Sequence, residues 1–337
     1  MEHVLVTGGA GFIGSHFVKL ILQAEDVSSM TVLDALTYAG HIENLGTAFL
    51  SEKLTFVQGN ILDAELVDRL VQQHTVIVHF AAESHVDRSF FAAGAVLSTN
   101  VHGTQTLLDA AMRHRTQRFV HVSTDEVYGP LPEGAATEEY PLRPSVPYAA
   151  SKAAADLVAL SYHQTYGVPV CVTRSSNNYG PYQHPEKIIP LFVTRLLQGE
   201  PVTLHGRGEH VRNWLHVEDH CAGIEQVLRG GVPGQVYNLG GGTDLSSREL
   251  TDAILRVCGA SWDAVTYVPD RPANDIRYSM IWDKAAHNLG YRPVKDFAEG
   301  LAETADWYRR SPDRWAPLMR NPLAAASATG TPERAER

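Results

Sequence analysis

Two adjacent acids and a tyrosine/lysine pair carry the reactive groups of this sequence. Asp125 and Glu126 lie in Ser123-Thr124-Asp125-Glu126-Val127-Tyr128-Gly129, and Tyr148 and Lys152 lie four residues apart in Tyr148-Ala149-Ala150-Ser151-Lys152. Residues four apart on a helix project from one face, so a phenol and an ammonium stand side by side. Two neighbouring carboxyls in a partly dry site push one pKa upward, which lets one hold its proton while the other is ionised. Together these groups make a candidate acid/base site.

The elements that must position them are legible nearby. Phe119-Val120-His121-Val122 is short, β-branched and aromatic, which predicts a buried strand over 118–123. The polar run then falls at a strand's carboxyl end, where open α/β sheets bind ligands. Residues 147–166 predict the helix that presents Tyr148 and Lys152.

Upstream, Val4-Leu5-Val6 predicts a strand followed by Thr7-Gly8-Gly9-Ala10-Gly11-Phe12-Ile13-Gly14 and a helix. Gly8, Gly11 and Gly14 permit a tight turn, close approach of backbone to a pyrophosphate, and close packing of helix on strand. The helix start supplies free N–H groups for the phosphates. A second strand, Met30-Thr31-Val32-Leu33, ends in Asp34. A carboxylate there accepts both hydroxyls of an adenosine ribose and repels a 2′-phosphate, which favours NAD over NADP. Strands at 54–57, 76–80 and 169–173, separated by helices over 63–73, 92–114 and 147–166, predict a parallel, doubly wound sheet of Rossmann type. Ala81 and Ala82 are small enough to let a flat cofactor lie against the backbone.

Composition bounds the partners. The chain has 337 residues, 44% of them hydrophobic, ample for a core. Its net charge of −10 argues against a nucleic-acid binder. No apolar run approaches the roughly 18 to 20 residues that span a bilayer, and three scattered cysteines suit a reducing compartment, so a cytoplasmic protein is expected. His216 and His220 have a spacing that can hold a metal, but no third ligand is evident and no metal is expected.

Past residue 175 the composition changes. Residues 176–185 are polar, aromatic and turn-rich, more like a binding loop than an element. Helices are expected over 187–197, 216–228 and 296–309, with strands at 201–204, 235–239 and 265–268. Ser246-Ser247-Arg248-Glu249 reads as a capping box. Arg207 and Arg212 supply local positive charge suited to a diphosphate. The expected division is a cofactor domain over 1–175, with part of 213–242 returning to it, and a smaller α/β substrate domain over 176–212 and 243–320. A disordered tail over 321–337 is expected to follow.

These pieces resemble the extended short-chain dehydrogenase/reductase superfamily and, within it, the dTDP-glucose 4,6-dehydratases. The narrower resemblance rests on Ala81-Ala82-Glu83-Ser84-His85-Val86-Asp87-Arg88-Ser89, Ser123–Gly129, and Asn177-Asn178-Tyr179-Gly180-Pro181-Tyr182 followed by Pro185-Glu186-Lys187. It implies NAD contacts at Gly8, Gly11, Phe12, Ile13, Gly14, Asp34, Ala35, Leu36, Thr37, Asn60, Ile61, Ala81, Ala82, Ser84, Thr99, Tyr148, Lys152 and Asn178. It implies contacts to the nucleotide sugar, dTDP-glucose, at Ser84, Thr124, Asn177, Glu186, Lys187, Ile188, Thr203, His205, Arg212, Asn238, Asp270, Arg271 and Asn274. A homodimer through the helices at 92–114 and 147–166 is also implied. The chain departs from the family where Asp-Ile is usual and Asn60-Ile61 stands, and where Asp-Arg-Pro-Gly-His reads Asp270-Arg271-Pro272-Ala273-Asn274.

The implied reaction removes water across C5 and C6 of the hexose by C4 oxidation, elimination and hydride return to C6. Tyr148 is the implied base at the C4 hydroxyl, oriented by Thr124, and Lys152 is expected to favour its phenolate. Glu126 is the implied base at C5 and Asp125 the acid at the C6 hydroxyl. A UDP-sugar 4,6-dehydratase or a 4-epimerase would share the glycine loop, Tyr148 and Lys152, but an epimerase needs no carboxyl pair. An NAD-sensing regulatory protein could keep the fold without the tyrosine and lysine, which are both present.

Overall fold

Residues 3–84, 92–270 and 275–319 are described by a computed structural model of the chain. The predicted contacts Arg271 and Asn274, the stretch His85–Ser89 and the predicted tail lie outside them. Six apolar strands, β1 (His3–Thr7), β2 (Ser29–Asp34), β3 (Leu54–Gln58), β4 (Val76–His79), β5 (Arg118–Thr124) and β6 (Val170–Ser175), alternate with helices. Together with β10, described below, they form a parallel seven-stranded sheet in the order β10-β6-β5-β4-β1-β2-β3. That order reverses between β1 and β4, the switch point at which doubly wound sheets bind ligands.

Near-continuous burial along β1, β2, β4, β5 and β6 reflects helices on both faces, and only the edge strand β3 is partly exposed. On one face lies α1 (Phe12–Ile21). On the other lie α2 (Ala64–Gln72), α3 (Ala93–Leu97), α4 (Thr104–Arg113) and α5 (Pro147–Tyr166). Pro147 at the first helical position and Gly167, left-handed at φ +72°, bound α5 at the predicted limits. The helix predicted over 92–114 is interrupted by a π-helical turn, Ser98–Gly103, between α3 and α4. The widened turn seats Asn100, whose amide joins the backbone of Glu83 to Ser151 on α5.

The 176–185 stretch is not wholly loop. Asn177–Tyr179 forms β7, paired in parallel with β9 (Val211–His216), because a partner 30 and more residues away offers a ladder. Between them run α6 (Ile188–Leu197) and β8 (Val202–His205). After β9, α7 (Val217–Gly230) packs against α1, and β10 (Val236–Leu239) pairs with β6 as the sheet's seventh strand. β11 (Thr243–Ser246) adds to β9 antiparallel, and β12 (Val265–Val268) pairs with β8. The capping box is formed: Ser246 and Glu249 exchange side-chain-to-backbone hydrogen bonds at the start of α8 (Ser247–Cys258). α9 (Asp283–Leu289), α10 (Phe297–Arg310) and α11 (Pro312–Met319) follow. A separate core of Phe192, Trp214, Ile254, Leu301 and Tyr308 holds α6, α8 and α10 together. No helix among the described residues is long and apolar enough to cross a membrane.

Candidate active site

A cavity of about 330 Å³ opens along the carboxyl ends of the parallel strands. Its walls bring together Gly8, Gly11, Phe12, Ile13 and Gly14 after β1, Asp34, Ala35 and Thr37 after β2, and Asn60 and Ile61 after β3. Ala81, Ala82 and Ser84 after β4, Thr99, Thr124, Asp125, Glu126, Tyr148, Lys152, Asn177, Asn178, Glu186 and Lys187 complete it from the predicted set. Residues spread over 180 positions meet because most of them follow a strand end or lie in the first turns of a helix at the same edge of the sheet.

The glycine loop is tight. Gly8 takes φ +74°, and a Cβ on it would lie 2.6 Å from the Ala81 nitrogen. A Cβ on Gly14 would strike Gly8 O and stand 2.9 Å from Gly9 Cα. These glycines leave a backbone-walled cradle at the start of α1, and such a cradle fits a pyrophosphate. Asp34 braces the loop: its Oδ2 accepts from Ala10 N at 2.9 Å and its Oδ1 from Leu36 N at 2.8 Å. Burial raises its pKa, and the two backbone donors oppose that rise. Leu36 thus supports the cofactor site through its backbone without lining the cavity. Asn60 Oδ1 accepts from Leu62 N at 2.9 Å, leaving an oxygen lone pair for a cavity ligand.

β5 delivers the acids. Thr124 caps the short 3-10 turn Asp125–Tyr128, its Oγ1 accepting from Glu126 N at 3.3 Å. Asp125 is buried, and desolvation followed by the Glu126 charge pushes its pKa up to about 8. Burial also raises Glu126, but Lys187 and Arg212 pull it back down. The environments therefore make Asp125 the better proton holder at neutrality.

On α5, Lys152 Nζ donates to Val122 O at 2.8 Å, which ties the helix to β5. Burial lowers its pKa to about 8. The phenolate expected at Tyr148 is opposed in the protein by itself. Burial, then the charges of Glu126 and Asp125, holds the phenol well above its ordinary range. The sequence places the helpful cation; it does not reveal that dry surroundings, and after them the Glu126 charge, act against it.

Other predicted contacts sit elsewhere. Asn238 is fully buried: its Nδ2 donates to Ala136 O and Ile281 O, and its Oδ1 accepts from Tyr128 OH at 2.6 Å. Both amide hydrogens are spent on the fold, so it is not a substrate contact through its side chain. Asn178 lines the cavity, but its side chain is committed to Ser175, Ser176 and His220. His220 thereby acts as a brace for Asn178, and His216 caps α7 through Glu218 N. Ile188, Thr203, His205, Arg212 and Asp270 do not line this cavity. Arg212 stacks its guanidinium over Tyr278 at 4.5 Å and acts on Asp125 and Glu126 by its charge. On β8, Thr203 is in register with Thr266 and His205 reaches Pro269 O, next to Asp270, which pairs with His210 at 3.2 Å. Arg207 is exposed.

Gly59, Glu83, Ser175, Gln183 and His184 also line the cavity and are absent from the prediction. Gly59 and Ser175 carry a usable signal, since they stand at the carboxyl ends of β3 and β6.

Comparison with known proteins agrees with this geometry. The family model described as GDP-mannose 4,6 dehydratase matches residues 5–304. A dTDP-glucose 4,6-dehydratase of Streptomyces niveus is 53% identical over 333 residues, covering 98% of each chain. The structure of DesIV, a dTDP-glucose 4,6-dehydratase from Streptomyces venezuelae solved with NAD bound, is similar with a TM-score of 0.92 at 53% identity. That match covers 94% of this chain and 99% of the other. A UDP-glucose 4-epimerase from Thermotoga maritima is similar at a TM-score of 0.86 and 28% identity, over 92% and 99% of the two chains. From the strand-end cavity to the match along nearly its whole length, the chain belongs to the GDP-mannose 4,6 dehydratase family.

Proposed function

We propose that the protein is a dTDP-glucose 4,6-dehydratase, an NAD-dependent hydro-lyase that converts dTDP-glucose to dTDP-4-keto-6-deoxyglucose and water. The single observation that carries this reading is the Asp125–Glu126 pair, set on one turn in the same cavity as Tyr148, Lys152 and the glycine loop. The glycine cradle and Asp34 would hold the NAD, with Thr99 and Lys152 further along the cavity. When bound, NAD would supply a hydride acceptor for C4 and a hydride donor for C6.

Tyr148 takes the proton of the C4 hydroxyl, and Thr124 orients that oxygen. Lys152 favours the phenolate against the burial and the anions that oppose it. With a carbonyl at C4 the C5 proton becomes acidic enough for Glu126 to remove. Asp125 gives its proton to the C6 hydroxyl, which leaves as water. Glu126 then returns its proton to C5, and resetting the site moves one proton from Tyr148 back to Asp125. Product and water together account for every atom of the substrate, with no net redox change.

The 4-epimerase alternative uses the same phenol and ammonium but gives the carboxyl pair no work. Predicted substrate contacts that retain support as cavity residues are Ser84, Thr124, Asn177, Glu186 and Lys187. We further infer a cytoplasmic homodimer. Exposed Leu97, Leu157 and Tyr166, on α3 and α5, give those helices an apolar surface for a second copy. The division into a cofactor domain over 1–175, with part of 213–242 returning to it, and a substrate domain over 176–212 and 243–320 belongs to the same proposal.

The test incubates the protein with dTDP-glucose and with UDP-glucose separately and follows the 4-keto product by its alkaline absorbance. With dTDP-glucose deuterated at C4, the isotope is expected on the product's methyl group. Deuterium released to bulk NADH or water overturns the reading.

A further inference from the structure

Behind the cavity lining, a second set of charges is sealed into the protein. Asp156 lies four residues beyond Lys152 on α5, on the same helical face. It is fully buried, as is His121 on β5, and Arg174 on β6 is 3% exposed. Arg174 Nε donates to Asp156 Oδ2 at 2.9 Å, and His121 Nε2 stands 3.3 Å from Asp156 Oδ1. Arg174 Nη1 reaches Tyr128 OH at 3.0 Å, anchoring the guanidinium to the turn that carries Asp125 and Glu126.

Charge balance gives this cluster a function. Lys152 and Arg174 are two cations in a dry region, and Asp156 is the carboxylate placed among them. His121 is neutral, since burial and then the Lys152 charge lower its pKa to about 4. The groups that interact with Lys152 are His79 from β4, His121 from β5 and Asp156 from α5 itself; Asp125, Glu126 and Tyr148 share the cavity wall with it, and Arg174 from β6 is linked through Asp156. Among them Asp125 and Glu126 serve the cavity, and His79 is held neutral by burial. A guanidinium does not give up its proton in a protein, whereas a buried ammonium does so readily. Any change in the charge of the cluster is therefore felt at Lys152.

We propose that Asp156 is a positioning residue of the site, a carboxylate shared with Arg174 and His121 that keeps the proton on Lys152. The proposal rests on the role given above to Lys152 beside Tyr148. Burial pulls Lys152 down to about 8, and Asp156 is the group that opposes this fall. Arg174 competes for the same carboxylate. The two partners should then act in opposite directions: loss of Asp156 deprotonates Lys152 at lower pH, and loss of Arg174 raises the pH at which it deprotonates.

The experiment labels lysine with carbon-13 at Cε and titrates the full-length protein by NMR, assigning the Lys152 resonance by its loss in Lys152→Arg. The wild-type midpoint is expected near 8. In Asp156→Asn it should fall by at least about one pH unit, and in Arg174→Gln it should rise. Melting curves verify that each variant is folded, and the opposite sign expected for Arg174→Gln separates a charge effect from general loosening. In turnover, the basic limb of the pH profile should move down with Asp156→Asn. Folded variants whose Lys152 midpoint does not move overturn the proposal. Because the titration needs no nucleotide sugar, a shifted midpoint in a protein that makes no 4-keto product would sink the dehydratase reading and leave the role of Asp156 intact.

Discussion

Asp125 and Glu126 are consecutive residues of one turn and burial raises both, yet Lys187 and Arg212 together oppose the rise at Glu126, whereas Asp125 is pushed up to about 8 by burial and by the Glu126 charge. Asp125 Oδ2 is buried with no hydrogen-bond partner among the described residues. Two identical functional groups are thereby prepared for opposite proton transfers, and this preparation costs stability.

That cost is measurable against pH. Asp125 releases its proton near 3.8 when unfolded and near 8 when folded. Below about 4 both states hold the proton; between 4 and 8 only the unfolded state gives it up, so stability falls progressively over that range and levels off above 8, where both states are ionised. Asp125→Asn should therefore gain stability relative to the parent as pH rises from 4 to 8. The gain expected is on the order of a few kcal/mol, read from melting temperatures across that range. The same variant should slow elimination by about 10²- to 10⁴-fold, the usual worth of a positioned acid.

Oxidation and elimination are assigned to different side chains. Tyr148→Phe should block hydride transfer, seen as no reduced nicotinamide in a single turnover. Glu126→Gln should still allow C4 oxidation but lose about 10²- to 10⁴-fold in release of the C5 proton, followed by solvent exchange. Equal loss of both steps in both variants contradicts the division.

Gly14 packs too closely for a side chain. Gly14→Ala would drive a methyl against Gly8 O and Gly9 Cα, both backbone atoms of the loop they must shape. The variant should melt earlier and lose retained NAD, measured as cofactor released on denaturing the purified protein. An alanine that left both unchanged would show the loop is not a phosphate cradle.

Asp34 has a dual expectation. Its carboxylate already accepts from Ala10 and Leu36, with lone pairs remaining for ribose hydroxyls. Asp34→Asn should weaken NAD by about 10- to 100-fold, the worth of a charged hydrogen bond, and narrow the preference over NADP. Titration of stripped protein with each dinucleotide checks both parts.

The limits of α5 were legible because their causes are local: proline begins the helix and a left-handed glycine ends it. The π turn at Ser98–Gly103 was not, because it is held by Asn100 bridging Glu83 and Ser151, partners 17 and 51 residues away. β7 was hidden for the same reason, since a three-residue strand exists only through its ladder with β9. Asn238 and Asn178 matched a motif by type, but only packing reveals that their amides are consumed by buried neighbours.

Sequence by itself determined the alternation of strands and helices, the glycine loop, and which side chains could do acid/base work, because period, turn chemistry and residue type act over a few positions. Tertiary structure decided how those side chains are charged. Desolvation and the pull of charged groups from separate elements raise Tyr148, separate Asp125 from Glu126, and set Asp156 against the burial of Lys152. Coulomb energies depend on distance and on the exclusion of water, and neither exists until the chain has folded.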